Sequence, residues 1–275
     1  MMAHKTFVVP LDGSERSERA IAVAVALADR VRGHVMLVTA AEGGPLHPSQ
    51  YLEERAAALR AGGCDVELCV AGGAPVATIV DVLTALDDPV VCMTTHGRGR
   101  FRWAALGSVA EEIVRRGAHP IVLVGRNCHD DFLVRSSRML ACVDDDKTAD
   151  GLAPTVDEWA EHLGLSVDVA VVVHPLDVVS AERERDVLAA VSAPFAAVRH
   201  AVMISGRFVA GSLADHADAM PAAMIAMRSH ARSGVARVAL GSVTMGVVHL
   251  ANCPVLVVPE RGDDPAGATG RGGES

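Results

Sequence analysis

Two short segments hold the residue types best suited to chemistry. The run Thr94-Thr95-His96-Gly97-Arg98-Gly99-Arg100 is followed, after an interval, by Gly107-Ser108-Val109. A glycine-rich turn leading into a helix offers unpaired N–H groups and the positive end of a helix dipole, a combination that favours phosphate. The second segment, Asp12-Gly13-Ser14, places a carboxylate directly after the apolar run Thr6 to Pro10. Together they suit a nucleotide. The same residues have plainer uses. Ser108-x-x-Glu111 spells a capping box, Gly97 and Gly99 fit a tight turn, Arg98, Arg100 and Arg102 fit a solvated loop, and Asp12 fits a helix cap.

Catalytic machinery is not legible. The chain has no Gly-x-Ser-x-Gly elbow, no Gly-x(4)-Gly-Lys-Ser/Thr loop and no kinase signature, and its 12 histidines form no HExxH or HxxxH pattern. The expectation is a protein that is not an enzyme; slow ATP hydrolysis stays open, although no general base for it can be named. Asp144, Asp145 and Asp146 read as an acidic turn in preference to a divalent-cation site. The 6 cysteines form no CxxC pair and read as small buried apolar residues in a reducing compartment. Arg115, Arg116 and His119, near a helix end, complement its dipole.

Composition narrows the classes further. At 275 residues, with 50% apolar and 21% charged, the chain has material for two cores. A net charge of −9 leaves no basic field for a nucleic-acid backbone, and 8 aromatic residues give few stacking platforms. Apolar stretches such as Val169 to Leu176 fall far short of the ~20 residues that span a bilayer, and Met1 to Ser14 lacks a signal-peptide core. No membrane association is expected, and the expected location is cytoplasmic.

The elements that must position these segments follow an alternating strand–helix pattern, which is that of an α/β parallel sheet. Strands are predicted at Thr6 to Pro10, His34 to Thr39, Asp65 to Val70, Val90 to Thr94 and Pro120 to Val124. Helices are predicted after Ser14, its N-cap, up to a stop at Gly33, and at about Ser49 to Ala61, Val76 to Leu86 and Ser108 to Arg116. The second half repeats this order. Thr95-His96 recurs as Ser229-His230, Leu106-Gly107-Ser108-Val109 as Leu240-Gly241-Ser242-Val243, and Pro120-Ile121-Val122 as Pro254-Val255-Leu256, all 134 residues on. Near the start the spacing is 132, pairing Asp12 with Asp144. This collinearity marks an internal duplication. The domains are predicted at 1–126 and 127–260, with a disordered tail at 261–275.

On these residues the chain resembles the universal stress protein family, in tandem form. The ATP-binding branch of that family carries Gly-x-x-Gly-x(9)-Gly-Ser/Thr. Gly97, nine residues, Gly107 and Ser108 match its second part, and Val109 is also typical. Pro10-Leu11-Asp12-Gly13-Ser14 is similar to the family's first loop. The resemblance implies two tandem five-stranded parallel-sheet α/β domains and a regulatory, ATP-binding stress-response module. It places Pro10, Asp12 and Ala40 beside the nucleoside. Thr94, His96, Gly97, Arg98, Gly99 and Arg100 would wrap ribose and phosphates, and Gly107, Ser108 and Val109 would close the site over ATP with Mg2+.

It further implies that the halves pair through their last strands, since each is an apolar edge. A homodimer and a separate protein partner stay open. The alternative function is a scaffold that binds no nucleotide and acts by protein association. A nucleotidyl-transferring enzyme is weaker, because HxGH and SGGxDS loops are absent.

The halves differ. Thr94 stands where the signature has its first glycine, and Ala40 where valine is usual. The second half lacks both early glycines, reading Arg228-Ser229-His230-Ala231. Residues 1–126 carry 13 basic against 14 acidic side chains, and residues 127–275 carry 12 against 20. The expectation is one nucleotide site, in the first half.

Overall fold

The computed structural model describes residues 5–95, 108–116, 119–229 and 240–259. The first half runs β1 (Thr6–Pro10), α1 (Glu15–Val31), β2 (His34–Ala40), α2 (Pro48–Ala61), β3 (Val66–Ala71), α3 (Pro75–Ala85), β4 (Val90–Thr94), α4 (Ser108–Arg116) and β5 (Ile121–Val124). A short helix α5 (Phe132–Arg135) leads into the second half. There follow β6 (Arg138–Cys142), α6 (Asp146–Leu163), β7 (Ser166–Val173), α7 (Ala181–Ser192), β8 (Val198–Ser205), α8 (Val209–Ala219), β9 (Met224–Arg228), α9 (Ser242–Leu250) and β10 (Val255–Val258).

Helix α1 forms where the sequence puts an apolar stripe behind a capping serine. Ala20, Ile21, Val23, Ala24, Leu27 and Ala28 are buried against the sheet, while Glu15 and Glu18 favour the positive end of the helix dipole. It ends just before Gly33, as expected. The left-handed residue is Arg32, at φ 55°, and Gly33 follows it with its N–H donated to the Ala28 carbonyl. Gly33 is also needed for its lack of a side chain: a Cβ there would lie 2.5 Å from the carbonyl of Lys5, just before β1.

The expected two tandem five-stranded parallel-sheet domains share one sheet. The described strands form one 10-stranded sheet in the order β3-β2-β1-β4-β5-β10-β9-β6-β7-β8. Each half is parallel, and the two join where β10 runs antiparallel to β5, with Leu256 opposite Val122 and Val257 opposite Ile121. All four side chains are buried. Two apolar strands that would each be an exposed edge thus satisfy one another, in agreement with the pairing expected from the resemblance.

The halves also meet through helices. Helix α1 packs on α6, and Phe7 of β1 meets Trp159 of α6. The buried Lys5 ammonium lies 2.6 Å from Asp88 and 3.4 Å from Glu158. The segment between the halves is clamped. Arg19 of α1 donates to the carbonyls of Arg126 and Cys128, Asn127 donates to those of His249 and Leu250, and Phe132 is buried.

Candidate functional site

In an open parallel sheet, ligands lie beyond the carboxyl ends of strands on either side of the point where the strand order reverses. In the first half that point lies between β1 and β4, with β2 on the far side of β1. Pro10 of β1 is level with Val38 of β2, two residues before Ala40. Val8 is level with Val91, a parallel register that carries Leu11 and Thr94 to the same height. The topology therefore brings Pro10, Asp12, Ala40 and Thr94 to one end of three neighbouring strands. Thr94 itself is level with Val124 of β5.

The first loop is built by hydroxyl and carboxylate contacts. Asp12 Oδ1 accepts from the Ser14 N–H at 2.9 Å and from Ser14 Oγ at 2.6 Å. Ser14 Oγ in turn accepts from the Ser17 N–H at 3.2 Å, which caps α1. The plainer use of Asp12, as an assistant to the cap, is thus realised for Oδ1. Thr39, buried one residue before Ala40, donates Oγ1 to the Leu11 carbonyl at 2.8 Å and ties the ends of β1 and β2 together. Sequence reading missed Thr39. Its signal was a hydroxyl in the apolar strand Val35-Met36-Leu37-Val38-Thr39-Ala40.

Ala40 is buried and Thr94 half-buried. Ser108 opens α4, and Val109, next along, packs half-buried against the core. His96, Gly97, Arg98, Gly99, Arg100 and Gly107 lie outside the described residues.

The corresponding place in the second half lies between β6 and β9. Asp145 caps α6, accepting from the Thr148 N–H at 2.7 Å, and Asp144 accepts from Thr148 Oγ1. Two of the three clustered carboxylates are therefore built into the helix start. The Arg228 guanidinium, from the end of β9, donates to the Lys147 carbonyl at 3.2 Å.

Thiol chemistry does not fit either crevice. Cys142, at the end of β6, is buried, and burial pushes its thiol up to about 12. Burial also raises Cys92 of β4. Protonated thiols are poor nucleophiles. Cys128 and Cys253 are likewise buried, while Cys64 and Cys69 are partly exposed, so the reading as buried apolar residues holds for four of the six.

Among the described residues, no helix is long and apolar enough to cross a membrane, and no group of three or more histidine, cysteine or carboxylate residues could hold a metal ion.

Comparison with known proteins agrees with this architecture. No curated protein matches the chain's sequence. A functionally unknown protein from Pseudomonas aeruginosa PAO1 has a similar structure, with 15% identity and TM-score 0.66, over 94% of this chain and 93% of that one. A universal stress protein from Archaeoglobus fulgidus DSM 4304 is similar at 19% identity and TM-score 0.64, over 92% and 98%. A putative universal stress protein from Pseudomonas aeruginosa UCBPP-PA14 gives 15% identity and TM-score 0.63, over 93% of each chain. At these identities the likeness establishes the fold. The model of the Universal stress protein family matches twice, at residues 3–125 and 136–259. With both halves matched and nearly the whole chain covered, the protein belongs to the universal stress protein family as a tandem member.

Proposed function

We propose that the chain is a regulatory, ATP-binding module with one nucleotide site, in its first half, and that it is not an enzyme. The observation that carries this reading is the convergence of Asp12, Ala40 and Thr94 on adjacent strand ends at the reversal point of the first half. The nucleoside lies against Pro10, Asp12 and Ala40. The N–H groups of Thr94 to Arg100 take the ribose and phosphates, and Gly107, Ser108 and Val109 close the phosphate end at the start of α4. Mg2+ accompanies the triphosphate. The division into domains at 1–126 and 127–260 goes with this reading, as does a cytoplasmic location.

A second reading, a scaffold acting by protein association, is favoured by one observation: Asp12 Oδ1 is already engaged by Ser14. Mass spectrometry of nucleotide released from the purified protein separates the two. ATP or ADP co-purifying near one per chain supports the first. Its absence, together with no thermal shift at millimolar Mg-ATP, supports the second.

A further inference from the structure

Helix α6 has a glycine, Gly151, in its sixth position, where alanine would be the better helix former. The reason lies across the crevice. The place a Cβ would take on Gly151 is 2.2 Å from Cζ and Nη1 of Arg228 and 2.7 Å from its Nε. Nη1 also donates to the Lys147 carbonyl, one turn earlier on the same face. The half-buried Arg228 side chain thus sets its guanidinium against the bared backbone of α6, beside the helix start that carries Asp144, Asp145 and Asp146.

By repeat spacing, Arg228 corresponds to Thr94 and Gly151 to Arg19. In the first half the arginine is on the helix and reaches the segment between the halves, leaving a short side chain at the strand end. In the second half the arginine is at the strand end and the helix is bared to receive it.

We infer that Arg228 is a plug supplied by the chain itself, filling the second half's crevice at the place where a diffusible ligand of this fold would lie. The guanidinium brings a positive charge to the acidic helix start and locks the end of β9 onto α6. This inference does not depend on ATP binding in the first half.

The test is a double-mutant cycle on the full chain, read by thermal unfolding, with arginine modification by phenylglyoxal mapped by mass spectrometry. In the wild-type background the helix gain of Gly151→Ala is offset by displacement of the guanidinium, so Tm rises less than it does without the arginine, or falls. In an Arg228→Ala background the same change raises Tm by about 2–4 °C, since alanine then serves only the helix. Arg228 is protected from phenylglyoxal relative to the exposed Arg183 and Arg185, and Gly151→Ala removes that protection. A Gly151→Ala effect of the same size in both backgrounds, or wild-type Arg228 reacting as fast as Arg185, overturns the inference.

Discussion

Phe7, on the first strand of the first half, and Trp159, on the first long helix of the second, meet edge to face with ring centroids 6.5 Å apart and planes at 81°. Both are buried, so this contact joins the halves at a second place, apart from the β5–β10 seam. Trp159→Ala should therefore cost about 3–5 kcal/mol of stability. Trp159→Phe should cost much less, because among the described residues the buried indole N–H has no hydrogen-bond partner to lose. Chemical denaturation of the two variants checks the order.

The seam itself predicts the behaviour of separated halves. Residues 5–126 expressed alone expose β5, and residues 127–259 expose β10, each a buried apolar strand in the intact chain. Unpaired edges of this kind self-associate. Light scattering should find homodimers or aggregates; two soluble monomers would contradict the pairing argument.

Much of this architecture was legible in the sequence, and the misses have physical causes. The strands Thr6–Pro10 and Val90–Thr94 and the helix Ser108–Arg116 were readable because apolar runs and helical stripes are local signals. The joining of the halves into one sheet was expected from the resemblance and not from local pattern, since it arises from antiparallel pairing between residues more than 130 apart, such as Ile121 and Val257. At the site, Asp12 and Thr94 followed from strand ends, and Ala40 from the family resemblance. The tie from Thr39 to Leu11 and the bed that Gly151 makes for Arg228 depend on tertiary approach, which no spacing rule encodes.

The end of α1 shows the same limit and gives its own prediction. The helix ends before Gly33 as the sequence indicates, while the left-handed conformation at Arg32 and the close approach of Gly33 to Lys5 are not legible there. Arg32→Gly should stabilise the protein by up to about 1 kcal/mol by relieving the strained φ. Gly33→Ala should destabilise it by roughly 1–3 kcal/mol, because the Cβ meets backbone and not a movable side chain. Equal effects at the two positions would contradict this assignment.

Two histidines give stability a pH dependence. Burial lowers the pKa of His119, and burial together with the Arg138 charge lowers that of His216. A histidine whose folded pKa is depressed binds its proton more readily in the unfolded chain. Stability is therefore complete above the ordinary value near 6.5 and falls as pH drops below it. Melting curves between pH 8 and pH 5 should show this decline, and His119→Gln with His216→Gln should flatten it. A decline of undiminished slope in the double variant would assign it to other groups.

The central claim is one nucleotide site per chain, in the first half. Calorimetric titration of Mg-ATP into the intact chain and into Gly97→Val tests it most directly. A β-branched side chain at Gly97 would put methyl groups where phosphate approaches in the proposed site, and a loss of ~2.7 kcal/mol already weakens binding about a hundredfold. The account predicts a stoichiometry of one for the wild type and no measurable binding for Gly97→Val at unchanged melting temperature. Two equivalent sites, no heat in the wild type, or undiminished binding by Gly97→Val would contradict it.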